Sequence, residues 1–364
     1  MDFRDTPEEA RFREEVRSWL EANLPDELRG HRGGEARFDG PEVRAWSRAL
    51  YAGGWSGIAW PEEYGGRGLG PRFQAIYLEE EARAEAPPHI GVIGLGMAGP
   101  TIIGRGTEAQ KARYLQPLLA ADEIWCQGFS EPGAGSDLAG VRTSARLDGN
   151  RFVLDGQKVW SSYAHIADFC ILRTRSDPAS ERHEGLTYMV VDMHAPGVEV
   201  PLDNVIGDVG GGWDVAMTTL LHERGTLGFA LVARLEVQVR KLVALATDRG
   251  ATPLQRDAIA REWIHFQALR VTAYRSLSAL ERTGIPGPEG SILKLQWSEA
   301  NQRVTKLALE LLGPDAQLLA PNAPYGGYWT TQQLRSRGNT IEAGTSEILR
   351  NILAERVLGL PRSR

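Results

Sequence analysis

Thr143-Ser144-Ala145-Arg146-Leu147-Asp148-Gly149-Asn150-Arg151-Phe152-Val153-Leu154-Asp155-Gly156 is the stretch that separates this chain from an all-helical protein. Thr143, Ala145 and Leu147 alternate with polar residues, the period of a strand with one buried face. Asp148-Gly149 is a hairpin signal, because a tight turn between strands needs residues that tolerate positive φ. Phe152 and Leu154 continue the alternation to a second turn at Asp155-Gly156. Beyond it, 169–174, 186–192 and 198–200 read as three further strands. Short strands with tight turns over roughly a hundred residues predict a small β-barrel or sandwich.

Outward from this region the texture is helical on both sides. Thr6-Pro7-Glu8-Glu9 supplies an N-cap, a proline at the first helical position and a capping-box glutamate. Phe12, Val16, Trp19 and Leu20 follow at helical spacing. A second helix is predicted over 41–52, a third near 72–86 and a fourth over 107–119, opened by Thr107 with Gln110. The stretch 30–40 reads as a glycine-rich loop, and Trp60-Pro61-Glu62-Glu63-Tyr64-Gly65-Gly66 as a break. From Trp213 onward long apolar stripes return, among them Leu231, Val232, Leu235, Val239 and Leu242. The expected class is therefore α+β: an N-terminal helical domain over 1–120, a middle small β-barrel or sandwich domain over 121–212, and a C-terminal helical bundle over 213–364.

Composition narrows the function. At 364 residues the chain is too long for one small core. A net charge of −6 argues against a nucleic-acid partner, so an anionic ligand would need local arginines. No run of about 18 apolar residues is present, so no membrane span is expected, and Met1 to Val16 lacks a signal-peptide core. Two cysteines, Cys126 and Cys170, are too few for a disulfide framework, which fits a cytoplasmic location. The seven histidines make no HxxxH or HExxH spacing, so no metal is expected.

The chemistry is carried by three segments. Phe129-Ser130-Glu131-Pro132-Gly133-Ala134-Gly135-Ser136-Asp137 has the glycines and hydroxyls that let backbone N–H groups approach a ligand. Asp155-Gly156-Gln157-Lys158-Val159-Trp160-Ser161-Ser162 reads as a strand carrying a tryptophan and two hydroxyls. Ile341-Glu342-Ala343-Gly344-Thr345-Ser346-Glu347-Ile348-Leu349-Arg350 lies near the C-terminus. The order WPEEYGG, FSEPGAGSD, DGQKVW, GTSEILRNILAERVLGLPR resembles the acyl-CoA dehydrogenase family from end to end.

That resemblance implies a C-terminal four-helix bundle and FAD lying between the middle and C-terminal domains. It places Phe129 and Ser130 beside the isoalloxazine ring, Gly135 and Ser136 at the pyrophosphate, and Ser136 also near the CoA arm. Trp160 would pack over the flavin, with Ser161 beside it and Ser162 where a threonine usually bonds near N5. Arg256 and Gln267 keep part of an RxxFG…FQ pattern contributed by a neighbouring subunit, but Ile259-Ala260 replaces the Phe-Gly pair. Glu310-Leu311-Leu312-Gly313-Pro314 stands where Gln-x-x-Gly-Gly is usual, leaving Gly313 as the matching cofactor residue. Thr345 and Glu347 match the last FAD-binding stretch.

The implied reaction removes hydrogen from the α and β carbons of an acyl thioester, giving the trans-2-enoyl product. Many family members place the base immediately before Gly-Thr, where this chain has Ala343. Its backbone N–H can still serve the oxyanion hole. A branch that includes isovaleryl-CoA dehydrogenases carries the base on the first long C-terminal helix, and Leu220-Leu221-His222-Glu223-Arg224 matches it. Glu223 is thus the expected base, with Glu342 the runner-up and Arg224 and Gly344 expected at the substrate. Resemblance further implies an electron-transferring flavoprotein as acceptor and a homo-oligomer, tetramer or dimer. A flavin monooxygenase or oxidase on the same fold, or a partner subunit of a mixed tetramer, is the alternative reading. Actinobacterial fatty-acyl and steroid acyl-CoA dehydrogenases are similar, but the acyl group itself is not legible.

Overall fold

A computed structural model describes residues 4–30, 39–195, 197–284, 287–288, 290–319 and 322–362, without the side chains of 223–227. Two compact units are formed, and they cut across sequence order. One gathers the chain up to residue 38, residues 69–87 and everything from 224 onward; the other holds 39–68 and 88–223. The expected loop at 30–40 lies largely outside the described residues.

The first unit is helical. Helix α1 (Pro7–Asn23) starts with the expected capping box, in which Thr6 Oγ1 accepts from the Glu9 N–H and Glu9 accepts from the Thr6 N–H. Phe12, Val16 and Leu20 form its buried stripe. Pro71 opens helix α3 (Pro71–Arg83), which packs on α1. Helices α6 (Gly212–Arg249), α7 (Pro253–Thr283), α8 (Gly290–Leu312) and α9 (Tyr328–Asn339) supply one apolar core, built from Leu235, Val239, Phe266, Leu277, Val304 and Trp329 among others. Thr252 and Gln255 form a further capping box at the start of α7.

The second unit surrounds a sheet. Helix α2 (Pro41–Ala52) has the expected bounds, α4 spans Gly99–Arg105, and Thr107 caps α5 (Glu108–Leu119). The strands are β1 (Trp125–Gly128), β2 (Ser144–Asp148), β3 (Arg151–Asp155), β4 (Phe169–Arg175), β5 (Leu186–Asp192) and β6 (Glu199–Pro201). Their order is β1-β4-β2-β3-β6, with β5 paired to β4. The β2–β3 hairpin turns at Gly149, where φ is 64°, as the Asp-Gly signal predicts. Sequence reading does not include β1, because its four residues show no alternation; its parallel pairing to β4 creates it.

Strand β4 is covered on both faces. Ile171 joins Trp125, Phe129 and Tyr188 in one cluster, whereas Cys170 and Leu172 join Phe152, Met189 and Val200 in another. Burial on both sides explains the continuous apolar run at its start. One expected strand is absent: 156–161 has no ladder partner. Gly156 at φ 156° and Trp160 at φ 61° depart from the β region, so the ladder ends at Asp155. A Cβ at Gly156 would lie 2.6 Å from Thr143 Oγ1, which accounts for glycine there.

Candidate active site

In the second unit, Glu131 is the anchor of the site. Its carboxylate accepts from the Arg142 N–H at 2.8 Å, the Thr143 N–H at 2.9 Å, the Thr143 hydroxyl at 2.6 Å and Lys158 Nζ at 2.8 Å. Burial acts to raise the Glu131 carboxyl, but Lys158 and Thr143 outweigh it and hold the group at about 2. Lys158 Nζ also donates to the carbonyl of Arg173 at 2.7 Å. The Val159 N–H donates to the carbonyl of Ser130 at 2.9 Å. Two motifs more than twenty residues apart are therefore stitched together, and Ser130 and Trp160 emerge beside the same join. Sequence reading quoted Glu131 and Lys158 but gave neither a role; their opposite charges at matching motif positions were the available signal.

The surface at this join is open. Trp160 is 91% exposed although its backbone is held at positive φ, an arrangement that costs a non-glycine residue about 1–3 kcal/mol. Ser161 is half-buried and Ser162 exposed. Between Glu131 and Ala134 the backbone closes on itself through reciprocal N–H···O bonds of 2.9 and 3.1 Å. Gly135 and Ser136 then run exposed. A Cβ built at Gly135 would meet no atom within 4 Å, and its φ is not positive. Neither packing nor backbone conformation demands glycine there, and the open space would admit close approach of a ligand.

Phe129 closes the inner side. Its ring meets Tyr188 edge-on at 5.8 Å, and the guanidinium of Arg173 lies 5.1 Å from its centroid. Tyr188 Oη bonds Thr219 Oγ1 at 3.0 Å, and Thr219 Oγ1 bonds Thr101 Oγ1 at 2.8 Å, a chain that ties the first turns of α6 to β5 and α4. Arg173 escaped sequence reading, although a charged residue inside the run Phe169-Cys170-Ile171-Leu172-Arg173 was a visible anomaly.

The remaining expected residues lie in the first unit, except Glu223, the last residue of the second. Ala343 is an exposed non-glycine residue at φ 51°, and its N–H has no acceptor among the described residues. Gly344 follows at φ 92°, its carbonyl accepting from Lys294 Nζ at 2.7 Å. Thr345 caps the next helix by accepting from the Ile348 N–H at 3.2 Å, and Glu347 is exposed. Both Glu342 oxygens accept from Arg335, at 3.0 and 2.8 Å. Arg256 donates to the carbonyl of Ala251 at 3.2 Å, Gln267 is half-buried, and Gly313 sits at φ 58°. The side chains of Glu223 and Arg224, on α6, lie outside the described residues. No group of three or more metal-ligating side chains occurs among the described residues. No described helix is long and apolar enough to cross a membrane.

Comparison with known proteins agrees along the whole chain. The acyl-CoA dehydrogenase N-terminal domain matches residues 6–122, the middle domain 126–209 and the C-terminal domain 210–358. Acyl-CoA dehydrogenase IpdE1 of Mycobacterium tuberculosis is 38% identical over 96% of this chain and 97% of its own length. Among solved structures, the Tcur3481-Tcur3483 steroid ACAD superposes with a TM-score of 0.89 at 32% identity, covering 100% of both chains. The ChsE4-ChsE5 complex from Mycobacterium tuberculosis gives 0.87 at 29% identity, again over 100% of each. With all three domains matched in order and the expected α+β architecture present, the chain belongs to the acyl-CoA dehydrogenase family, FAD-dependent oxidoreductases that dehydrogenate acyl-CoA substrates.

Proposed function

We propose that this chain oxidises the α,β bond of a bulky, steroid-like acyl-CoA to the trans-2-enoyl thioester, with Glu223 as the base. The observation that carries the flavin site is the Glu131–Lys158 clamp, which joins the two middle motifs beneath the exposed face of Trp160. In this reading Trp160 walls the ring, Phe129 backs it, and Ser130 and Ser162 donate to its polar edge. Gly135 and Ser136 admit the pyrophosphate, while Arg256, Gln267 and Gly313 serve the cofactor from a neighbouring subunit. Thr345 and Glu347 complete its cradle.

FAD supplies the acceptor for the hydride that leaves the β carbon. The chain's own work is to take the α proton on Glu223 and to steady the charge that develops on the thioester oxygen. Ala343 offers an unengaged N–H for the latter task, and such a donor is worth most in a water-poor site. Glu342 is the weaker candidate base because Arg335 already occupies both its oxygens. Arg224 and Gly344 are assigned to the substrate. The domain division 1–120, 121–212 and 213–364 belongs to the same reading, as does electron-transferring flavoprotein as acceptor.

The steroid-like acyl group is suggested by the relative named a steroid ACAD. Anaerobic titration of the FAD-loaded protein with straight-chain, branched and steroid-side-chain acyl-CoA esters tests it by bleaching of the flavin. Glu223→Gln is expected to keep the cofactor and lose about 10²–10⁴-fold in rate. A variant that turns over near normally removes Glu223 from the mechanism, and a bleaching preference for straight chains removes the steroid assignment.

A mixed oligomer is the second reading. Two similar structures are named as pairs of chains, Tcur3481-Tcur3483 and ChsE4-ChsE5. In the first unit Leu254, Ile264, Leu334 and Ile341 are exposed apolar side chains, surface that a partner would cover. Mass measurement of the chain expressed alone separates the cases: a stable FAD-loaded homotetramer argues against an obligate different partner.

A further inference from the structure

Arg173 is the least compensated charge in the described part of the second unit. It is 0% exposed, and none of its three guanidinium nitrogens has a hydrogen-bond partner among the described residues. Three of the groups around it are apolar or already engaged. Phe129 covers it at 5.1 Å, the Tyr188 hydroxyl is bonded to Thr219, and the Glu131 carboxylate is taken by Thr143, the Arg142 N–H and Lys158.

Of the charges acting on this pocket, Glu131 and Asp137 are negative while Lys158, Arg173 and Arg175 are positive. Among the described residues, Arg175 bonds only carbonyls and the Ser180 hydroxyl. Arg173 itself is therefore a positive charge in a dry setting, with no ion-pair partner among the described residues. Burial lowers the Arg173 guanidinium to about 10, which still leaves it charged at neutral pH. A buried arginine without acceptors is costlier than an apolar side chain of similar size, so its presence calls for a use.

We propose that Arg173 is a positioning residue for the flavin's electron affinity, acting through Phe129 as a fixed positive field rather than by contact. This inference rests on the reading that FAD lies against Phe129 and Ser130. Dehydrogenation delivers a hydride to the ring, two electrons and one proton, while the α proton goes to the base. The ring thereby gains one negative charge. A cation that cannot be screened by water stabilises that charge and favours the reduced form. Because the guanidinium is fully covered, it does so without competing for the ring's hydrogen bonds.

The test compares FAD-loaded wild type with Arg173→Leu, Arg173→Met and Arg173→Lys, each equilibrated anaerobically with a reference dye. Loss of the charge is expected to weaken flavin reduction at least ten-fold, about 30 mV for a two-electron couple. Arg173→Lys is expected to stay within three-fold of wild type. FAD content and thermal midpoint are read on the same samples. Wild type that takes up no FAD refutes the underlying flavin assignment. FAD-loaded Leu and Met variants with an unchanged equilibrium refute the role of Arg173 alone, as does a Lys variant displaced as far as Leu. If neither neutral variant folds while Lys does, Arg173 is a folding residue and the proposal is abandoned.

Discussion

Lys158 Nζ lies 2.8 Å from Glu131 Oε1 and 2.7 Å from the carbonyl oxygen of Arg173. One ammonium group thus holds the loop after β1, the segment after β3 and the middle of β4 in register. Burial lowers Lys158, and the Glu131 carboxylate opposes that by favouring its charged form. Neither partner would be stable in this setting alone.

Glu131→Gln leaves Lys158 buried without its counter-charge and is expected to cost about 3 kcal/mol at neutral pH. The Glu131 carboxyl sits at about 2, below its unfolded value, so its contribution is full above the unfolded pKa. It is lost as pH falls through about 4 towards 2. Urea unfolding at pH 7 and pH 3 should show the variant and wild type converging at the lower pH. A constant gap would contradict the ion pair.

Glu81 behaves in the opposite sense. Burial raises its carboxyl to about 7, against the lowering influence of Arg234 and the Tyr77 hydroxyl 3.2 Å away. The folded chain then holds a proton that the unfolded chain has released, so stability declines as pH rises from about 4 to 7. Glu81→Gln mimics the protonated form and is expected to gain about 1–2 kcal/mol at pH 8, with little change at pH 4. Equal effects at both pH values would reject a titrating Glu81.

Trp160 and Gly135 should separate ligand binding from folding. Trp160 makes almost no burial, and a Cβ at Gly135 has open space. Trp160→Ala and Gly135→Ala are therefore expected within about 0.5 kcal/mol of wild type when FAD is stripped. Reconstitution followed by absorbance should show both holding less FAD. Loss of stability in the stripped protein would make them folding residues instead.

Ala343 sits at φ 51°, a conformation that an L side chain resists. Ala343→Gly should relieve about 1 kcal/mol of strain, less the entropy that glycine adds to the unfolded chain. The net change in thermal midpoint is expected to be small and positive, with the N–H left in place and turnover retained. A large fall in activity would mean that the methyl group itself shapes the site.

Much of this protein was legible in its sequence because the signals are local. The capping boxes at Thr6 and Thr107, the turn at Asp148-Gly149 and the bounds of α2 and β5 depend on residues a few positions apart. Motif order alone pointed to the family. What local pattern could not supply was anything set by a distant partner. Strand β1 exists because β4 offers it a parallel edge, and the strand expected over 155–162 stops early because Lys158 is drawn to Glu131 and Trp160 takes positive φ. Arg173 reads in sequence as one more strand residue; only the packing of Phe129 over it, with no hydrogen-bond partner for its guanidinium among the described residues, makes it a buried charge. Periodicity records which face a residue takes, whereas desolvation and charge depend on what the rest of the chain brings to that face.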